Sequence, residues 1–250
     1  MPNNKDSNDS VIKEFSRFAN EYHRYNIIQT NVASILAKHI SRYNYDTILD
    51  IGCGNGVLYR KLHKLQQPIK HYYAVDLSSS MLELHPNDKS ITKLNLDFNN
   101  PAFISNLPFN HIDIISSSSA LQWCNHLDKF FKDISTISDN LCVAIFTSNT
   151  FKTLHNIARI ISPIHSKEHI LNTSKKFHKP LHHITKKYKL YFECKKDMFQ
   201  YIKKSGVSGG KRRLSYQQTK ALISSYPYDY LEFEVIFLST YDFKEDKNPL

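Results

Sequence analysis

The feature that most constrains the fold of this sequence is a short apolar run that leads directly into three closely spaced glycines. Residues 47–51 have the length and composition of a buried strand, and Gly52, Gly54 and Gly56 follow before a helical pattern begins near Val57. Glycine has no Cβ, so the backbone can turn sharply there and approach a ligand closely at a helix start. The pattern predicts an α/β fold with a nucleotide site at this turn.

The spacing of the glycines separates two classes of nucleotide-binding fold. The dinucleotide pattern G-x-G-x-x-G/A places its third small residue five positions after the first, where this chain has Val57. The third glycine, Gly56, comes one residue earlier. This spacing resembles the nucleoside-binding loop of class I methyltransferases.

Carboxylates end three successive predicted strands. Asp50 ends the strand before the glycines, Asp76 follows Gly56 by 20 residues, and Asp97 ends the third strand. An acid at Asp76 can accept hydrogen bonds from both hydroxyls of a ribose. Asp97 can accept one from an adenine amino group, with Phe98 bordering the ring. Asp97 alone is equally typical of a loop or cap, but the glycine loop, Asp76 and Asp97, in order at three successive strand ends, predict a site for S-adenosylmethionine.

Apolar periodicity predicts one α/β domain in four parts. Helical spacing before the first strand gives an N-terminal helical extension over 1–45, and alternating strands and helices give the cofactor-binding core over 46–147. The alternation lapses over 148–181, which we interpret as a lid that covers the active site, and it returns over 182–250 to complete the sheet. Strands are predicted at 47–51, 71–75, 91–96, 112–116, 141–146, 184–192 and 231–238, which gives a seven-stranded, mostly parallel sheet.

Composition limits the location and chemistry of the protein. With 41% hydrophobic and 12% aromatic residues the chain can bury a sizeable core. No run approaches the roughly 20 apolar residues of a membrane span, and residues 1–10 are polar, so we expect a cytoplasmic protein without a membrane partner. The four cysteines are far apart and the histidines lie mostly in polar stretches, so we expect reduced thiols and no metal.

The formal net charge of +10 predicts an anionic partner, which could be a nucleic acid, an acidic protein or a phosphorylated ligand. Eleven lysines lie between Lys167 and Lys204, and Lys211, Arg212 and Arg213 follow. A merely solvated lysine-rich face accounts for these residues equally well.

Several segments together resemble the malonyl-acyl-carrier-protein O-methyltransferases of biotin synthesis. They are residues 15–19 with Tyr22, the glycine loop, residues 76–82, and residues 120–124, which read Ala-Leu-Gln-Trp-Cys. The likeness extends over about residues 11–240. It implies the class I methyltransferase fold, S-adenosylmethionine as cofactor with S-adenosylhomocysteine as product, and methyl transfer to the free carboxylate of a malonyl thioester, which starts the synthesis of the pimeloyl precursor of biotin.

The resemblance also assigns residues and a partner. Tyr22 and Arg17 are expected to orient the substrate, with Gln122 and Trp123 beside the methyl donor, although Tyr22 also has the helical spacing of a packed face. Acyl carrier protein, which is strongly acidic, is the expected partner. Many relatives carry an asparagine where this chain has Ser118, so a donor role at that position does not carry over. The predicted cofactor-binding residues are Asp50, Gly52, Cys53, Gly54, Gly56, Asp76, Leu77, Met81, Asp97, Phe98 and Ser117.

The chemistry of a malonyl substrate needs no catalytic base. Its carboxylate is already ionised at neutral pH and is itself the nucleophile. Holding the oxygen, the methyl carbon and the sulfur in line in a water-poor cavity is then expected to supply most of the acceleration.

Three other functions are compatible with the sequence. A carboxyl methyltransferase of the trans-aconitate type shares the glycine loop and a similar A-x-Q-W segment, but needs no basic lid. An RNA methyltransferase would explain the charge, but the chain lacks the Asn/Asp-Pro-Pro-aromatic motif common in base-directed enzymes, so a nucleic acid is not the expected partner. A non-catalytic protein that binds S-adenosylmethionine would show affinity without turnover.

Overall fold

The computed structural model describes residues 25–204 and 215–243. The predicted substrate residues Arg17 and Tyr22 lie outside these residues. Within them the chain forms seven strands and eight α-helices. The strands are β1 (Thr47–Ile51), β2 (His71–Asp76), β3 (Ile91–Asn95), β4 (Ile114–Ser118), β5 (Leu141–Phe146), β6 (His182–Tyr191) and β7 (Tyr230–Ser239). The helices are α1 (Ile27–Ile40), α2 (Val57–Lys64), α3 (Ser79–Leu84), α4 (Leu127–Ile134), α5 (Lys152–Ala158), α6 (Lys167–Ser174), α7 (Lys195–Lys204) and α8 (Tyr216–Ser225).

The strands form one sheet in the order β3-β2-β1-β4-β5-β7-β6. The pairs from β3 to β5 are parallel, and β7 runs antiparallel to both β5 and β6. The prediction of a seven-stranded, mostly parallel sheet is therefore confirmed. The strand order reverses direction between β1 and β4, and a crevice at such a point is where open α/β sheets bind ligands.

The central strands are apolar along their whole length because helices cover both faces of the sheet. Ile48, Leu49 and Ile51 of β1 are fully buried, and every residue of β5 is buried. The edge strand β6 instead alternates between half-buried and exposed residues and carries three lysines. Lysine on an edge strand discourages pairing with another sheet.

Strand β4 begins and ends two residues later than predicted. Before it, the amide of Asp113 donates to Thr47 Oγ1 over 2.9 Å, and the Thr47 amide donates to Asp113 Oδ2 over 2.8 Å. These side-chain bonds take the place of ladder pairing at the strand entrance. A shift of two residues leaves each side chain on its predicted face of the sheet.

Helix α1 packs its apolar face against the sheet. Val32, Leu36 and Ile40 recur at helical spacing and are fully buried. Near the end of the helix, His39 Nε2 lies 2.8 Å from Ser239 Oγ of β7, and the His39 ring stacks on Phe243 at 4.3 Å. These contacts hold the helix against the sheet and place its first turn at the carboxyl ends of the strands.

The segment 148–181 contains α5 and α6 and packs beside the sheet. Ile170 of α6 is fully buried, and His165 Nε2 lies 2.6 Å from the carbonyl oxygen of Cys124. Among the described residues that line the cavity reported below, none belongs to this segment. That the segment covers the active site stays a prediction.

None of the helices in residues 25–204 and 215–243 is long and apolar enough to span a membrane.

Candidate functional site

A cavity opens at the carboxyl ends of β1, β2 and β4, where the strand order reverses. It encloses about 980 Å³, including the solvent space at its mouth. Its wall is built from the first turn of α1, the glycine loop and the ends of β2, β3 and β4. Nine of the predicted cofactor-binding residues line it: Asp50, Gly52, Cys53, Gly54, Asp76, Leu77, Met81, Asp97 and Phe98.

The three glycines of the loop all have positive φ angles, but they differ in how much room a side chain would have. A Cβ on Gly52 would lie 2.2 Å from the Cβ of Ala120, and one on Gly56 would lie 2.6 Å from His85. Gly54 has more room, with Met81 Cε at 3.4 Å from the same position. Packing therefore excludes a side chain at Gly52 and Gly56. Gly56 precedes α2 and does not line the cavity, so its predicted role in cofactor binding has no support in the geometry.

Asp76 connects the end of β2 to the glycine loop. Its Oδ2 accepts a hydrogen bond from the Gly54 amide over 2.8 Å, and its Oδ1 accepts one from the Ser78 amide over 2.8 Å. Burial raises the pKa of Asp76, and these backbone hydrogen bonds act in the opposite direction. A carboxylate oxygen has two lone pairs, so both oxygens retain acceptor capacity for a ligand hydroxyl.

Asp50 lies deeper in the wall and has one oxygen without a partner. It is 1% exposed, and the Tyr72 hydroxyl donates to its Oδ2 over 2.6 Å. Its Oδ1 is buried without a hydrogen-bond partner. Burial raises the pKa of Asp50 to about 7, and the hydrogen bond from Tyr72 offsets part of this rise. A cationic group in the cavity would stabilise the ionised form.

The turn after β3 supplies the third acid and an aromatic ring. Asp97 Oδ1 accepts a hydrogen bond from the Asn99 amide over 2.8 Å, which holds the carboxylate in the turn. Phe98 lines the cavity and packs edge-on against Phe130, with ring centroids 6.0 Å apart.

Two of the predicted site residues, one at the end of β4 and one in the turn after it, lie outside the cavity lining. Ser117 is fully buried, and its hydroxyl donates to the carbonyl of Ile51 over 2.7 Å. This side chain therefore bonds to the neighbouring strand and does not line the cavity. Gln122 also lies outside the lining, because its Nε2 donates to the carbonyl of Ser119 over 2.6 Å. Ser118, Ser119 and Trp123 line the cavity instead.

Acidic side chains line the cavity, although the protein as a whole is basic. Asp50, Asp76 and Asp97 line it, and no lysine or arginine belongs to the described lining. The lining atoms that are buried without a hydrogen-bond partner include Asp50 Oδ1, Asn55 Oδ1, Ser119 Oγ and Trp123 Nε1. Orphaned polar atoms in a cavity indicate a ligand that satisfies them. Three acids and a glycine loop suit a nucleoside that bears positive charge, as the sulfonium and ammonium groups of S-adenosylmethionine do.

Over residues 25–204 and 215–243, no three His, Cys, Asp or Glu side chains are grouped so that they could hold a metal ion. Three of the cysteines are buried as free thiols, and burial raises the pKa of the cavity-lining Cys53 well above its usual value. This thiol is therefore protonated and a poor nucleophile.

Residues 48–139 match a family model described as a methyltransferase domain. The match runs from β1 to the loop between α4 and β5 and includes all three acids of the cavity. These residues are therefore similar to a methyltransferase domain, and the chain has the fold of the class I methyltransferases. A solved structure with the same fold is the YcgJ protein from Bacillus subtilis, with a TM-score of 0.58 and 13% identity over 84% of this chain and 97% of that chain.

Two curated relatives carry the same name. The malonyl-[acyl-carrier protein] O-methyltransferase of Buchnera aphidicola subsp. Baizongia pistaciae is 26% identical over 62% of this chain and 61% of its own length. That of Priestia megaterium is 32% identical over 58% of this chain and 54% of its own length. Both matches therefore span less than two thirds of the relative.

The first turn of α1 is the part of the wall that sequence reasoning missed. Asn26, Gln29 and Ala33 line the cavity from this helix. Their spacing of three and four residues marks a second helical face beside the apolar face of Val32 and Leu36. A polar, small-residue face on a helix that precedes the first strand was the available signal.

Proposed function

We propose that this methyltransferase transfers a methyl group to the free carboxylate of a malonyl thioester carried by acyl carrier protein, and so starts the synthesis of the pimeloyl precursor of biotin. The similarity to relatives of that name is the observation that carries the choice of substrate. The Ala-Leu-Gln-Trp-Cys turn supports it, because this turn places Trp123 in the wall of the cavity.

The described residues fit S-adenosylmethionine in three places. Asp76 would accept hydrogen bonds from the ribose hydroxyls, and Asp97 with Phe98 would hold the adenine. Asp50 would pair its free oxygen with the amino group of the methionine part. Bound there, the cofactor supplies a methyl group on a positively charged sulfur.

The chain's own contribution is to bind and orient the acceptor and to exclude water. The malonyl carboxylate arrives ionised at neutral pH. Arg17 and Tyr22 remain proposed substrate-orienting residues, and Trp123 would form the wall beside the reacting groups.

Lysines beyond the end of β5 suit an acidic carrier protein. In the sheet register, Val235 of β7 pairs with both Lys186 of β6 and Phe146, the last residue of β5. Lys187 and Lys189 therefore lie beyond the carboxyl end of β5, at the same end of the sheet as the mouth of the cavity. Charges at such a rim mainly accelerate association.

A substrate comparison tests this function. Purified protein is incubated with labelled S-adenosylmethionine and one of three acceptors: malonyl-acyl carrier protein, trans-aconitate or bulk RNA. Transfer to the malonyl thioester alone is expected. Transfer to trans-aconitate or RNA in its place would contradict the proposed substrate while leaving the cofactor site intact. For the role in biotin synthesis, the chain is expected to restore growth without biotin to a bacterial strain that lacks its malonyl-acyl-carrier-protein O-methyltransferase.

A further inference from the structure

The turn after β4 holds a serine in an uncommon backbone conformation. Ser119 has a φ of 66°, in the left-handed region that few residues other than glycine adopt. Its amide donates to the carbonyl of Ala144 over 2.9 Å, and its own carbonyl accepts the bond from Gln122. The next residue, Ala120, packs against Gly52. Surrounding contacts thus impose a conformation that costs energy, which is a common feature of functional sites.

Two hydrogen-bond donors at this turn have no partner. Ser119 Oγ and Trp123 Nε1 are both buried without a hydrogen bond, and both residues line the cavity. An indole N–H can only donate, so an acceptor group on a ligand would satisfy it. Leaving such a group unsatisfied costs about 1–3 kcal/mol.

The orphaned atoms of the cavity divide by chemistry. Asp50 Oδ1, on the strand that leads into the glycine loop, and Asn55 Oδ1, in the loop itself, are acceptors and suit a donor or a cation. On the turn after β4, the hydroxyl and the indole N–H are donors and suit an anion. The described lining offers that anion no lysine or arginine, so neutral donors are what it would meet. Neutral donors orient a carboxylate and neutralise less of the charge that makes it a nucleophile than a cation does.

We propose that Ser119 Oγ and Trp123 Nε1 form a donor pair that binds the carboxylate of the methyl acceptor. The proposal rests on the proposed function in one respect, that the acceptor is a carboxylate. It makes Ser119 a residue that determines specificity for an anionic acceptor, with Trp123 as the second donor.

The only tryptophan of the chain is itself one of the two donors, so its fluorescence reports on the site. Wild-type protein saturated with S-adenosylhomocysteine is titrated with malonate as the anion probe, and the emission of Trp123 is followed. The same titration is made with Ser119→Ala and with the control Ser105→Ala, which removes the hydroxyl of an exposed serine outside the cavity lining. We expect Ser119→Ala to raise the malonate concentration at half-saturation about tenfold and Ser105→Ala to change it less than twofold.

Kinetics with the malonyl thioester provide the second measurement. Ser119→Ala is expected to lower kcat/KM for the thioester roughly 10- to 100-fold and to leave the Kd of S-adenosylhomocysteine within twofold. Ser119→Asn is expected to recover part of the loss, because asparagine tolerates a positive φ and retains a donor. If Ser119→Ala does not fold, Ser119→Gly removes the hydroxyl without the penalty of a Cβ at positive φ.

Two results would overturn the donor pair. One is weaker binding of S-adenosylhomocysteine with unchanged malonate and thioester affinity, which would assign the pair to the carboxylate of the cofactor. The other is unchanged affinity for all three ligands. Failure of the proposed function is a separate observation: wild-type protein would bind S-adenosylhomocysteine and malonate but methylate no malonyl thioester.

Discussion

The carboxylate of Asp76, at the end of β2, accepts a hydrogen bond from the amide of Gly54 over 2.8 Å. Its second oxygen accepts one from the Ser78 amide, just before α3. Asp76 therefore builds the cavity as well as facing it. The acid predicted to hold a ribose also fixes the glycine loop against the neighbouring strand.

Replacing Asp76 is expected to affect binding and stability together. Asp76→Ala leaves the Gly54 and Ser78 amides without their acceptor, which should lower the free energy of unfolding by about 1–3 kcal/mol. It should also weaken S-adenosylhomocysteine binding at least tenfold, measured by titration calorimetry. Asp46→Ala, which removes an exposed partner of Lys70, is the control and should change neither quantity. An Asp76→Ala protein with wild-type affinity would contradict the assignment of the ribose site.

Two glycines of the loop should respond differently to the same substitution. Gly52→Ala places a Cβ against Ala120 and keeps a φ of +70°, so overlap and strain add. We expect it to lower the free energy of unfolding by about 2–5 kcal/mol. Gly54→Ala meets only the flexible end of Met81, so backbone strain of about 1–2 kcal/mol should dominate. Urea unfolding measures both, and equal losses would contradict the tighter packing at Gly52.

Asp50 should make the ligand-free protein less stable as the pH rises. Its pKa is raised by burial to about 7 in the folded chain, so the folded state retains a proton that the unfolded chain releases near pH 4. The stability from this group is complete below about pH 4 and is lost as the pH rises to 7. Asp50→Asn removes this dependence.

Urea unfolding of wild type and Asp50→Asn at pH 5 and pH 8 measures that contribution. Raising the pH from 5 to 8 should lower the free energy of unfolding of the wild type by roughly 2–3 kcal/mol relative to that of the variant. Parallel pH profiles for the two proteins would show that Asp50 titrates normally. The comparison is between variants because burial lowers the pKa of His39, His85 and His178 to about 4, which gives the opposite pH trend over the same range.

The sequence predicted the sheet and most of the cavity because both depend on local patterns. Apolar runs set the strands, and the glycines and three acids lie at strand ends that parallel pairing brings together. It did not predict that Ser117 and Gln122 would be used within the protein, since this depends on which backbone carbonyl each side chain reaches. Nor did it predict the left-handed Ser119, because the Gln122 and Ala144 bonds that hold it form only in the folded chain.

Salt should weaken turnover only on the carrier-bound substrate. If Lys187 and Lys189 attract an acidic carrier protein, raising the salt from about 20 to 200 mM should raise the KM of the carrier-bound substrate several-fold through screening. The KM of malonyl-N-acetylcysteamine, which lacks the carrier, should change less than twofold. The variant Lys187→Glu/Lys189→Glu should reproduce the effect at low salt. Lys70→Glu, just before the amino end of β2, should not. Indifference of the carrier-bound substrate to salt would contradict this docking face.

The most direct test of the proposed function is the intact mass of malonyl-acyl carrier protein after incubation with S-adenosylmethionine and this protein. We predict that the carrier gains the mass of one methylene group, that alkaline hydrolysis of the ester removes it, and that Asp76→Ala abolishes the gain at the same protein concentration. An unmodified carrier, with S-adenosylhomocysteine binding retained by the wild-type protein, would contradict malonyl methylation and leave only the methyltransferase fold.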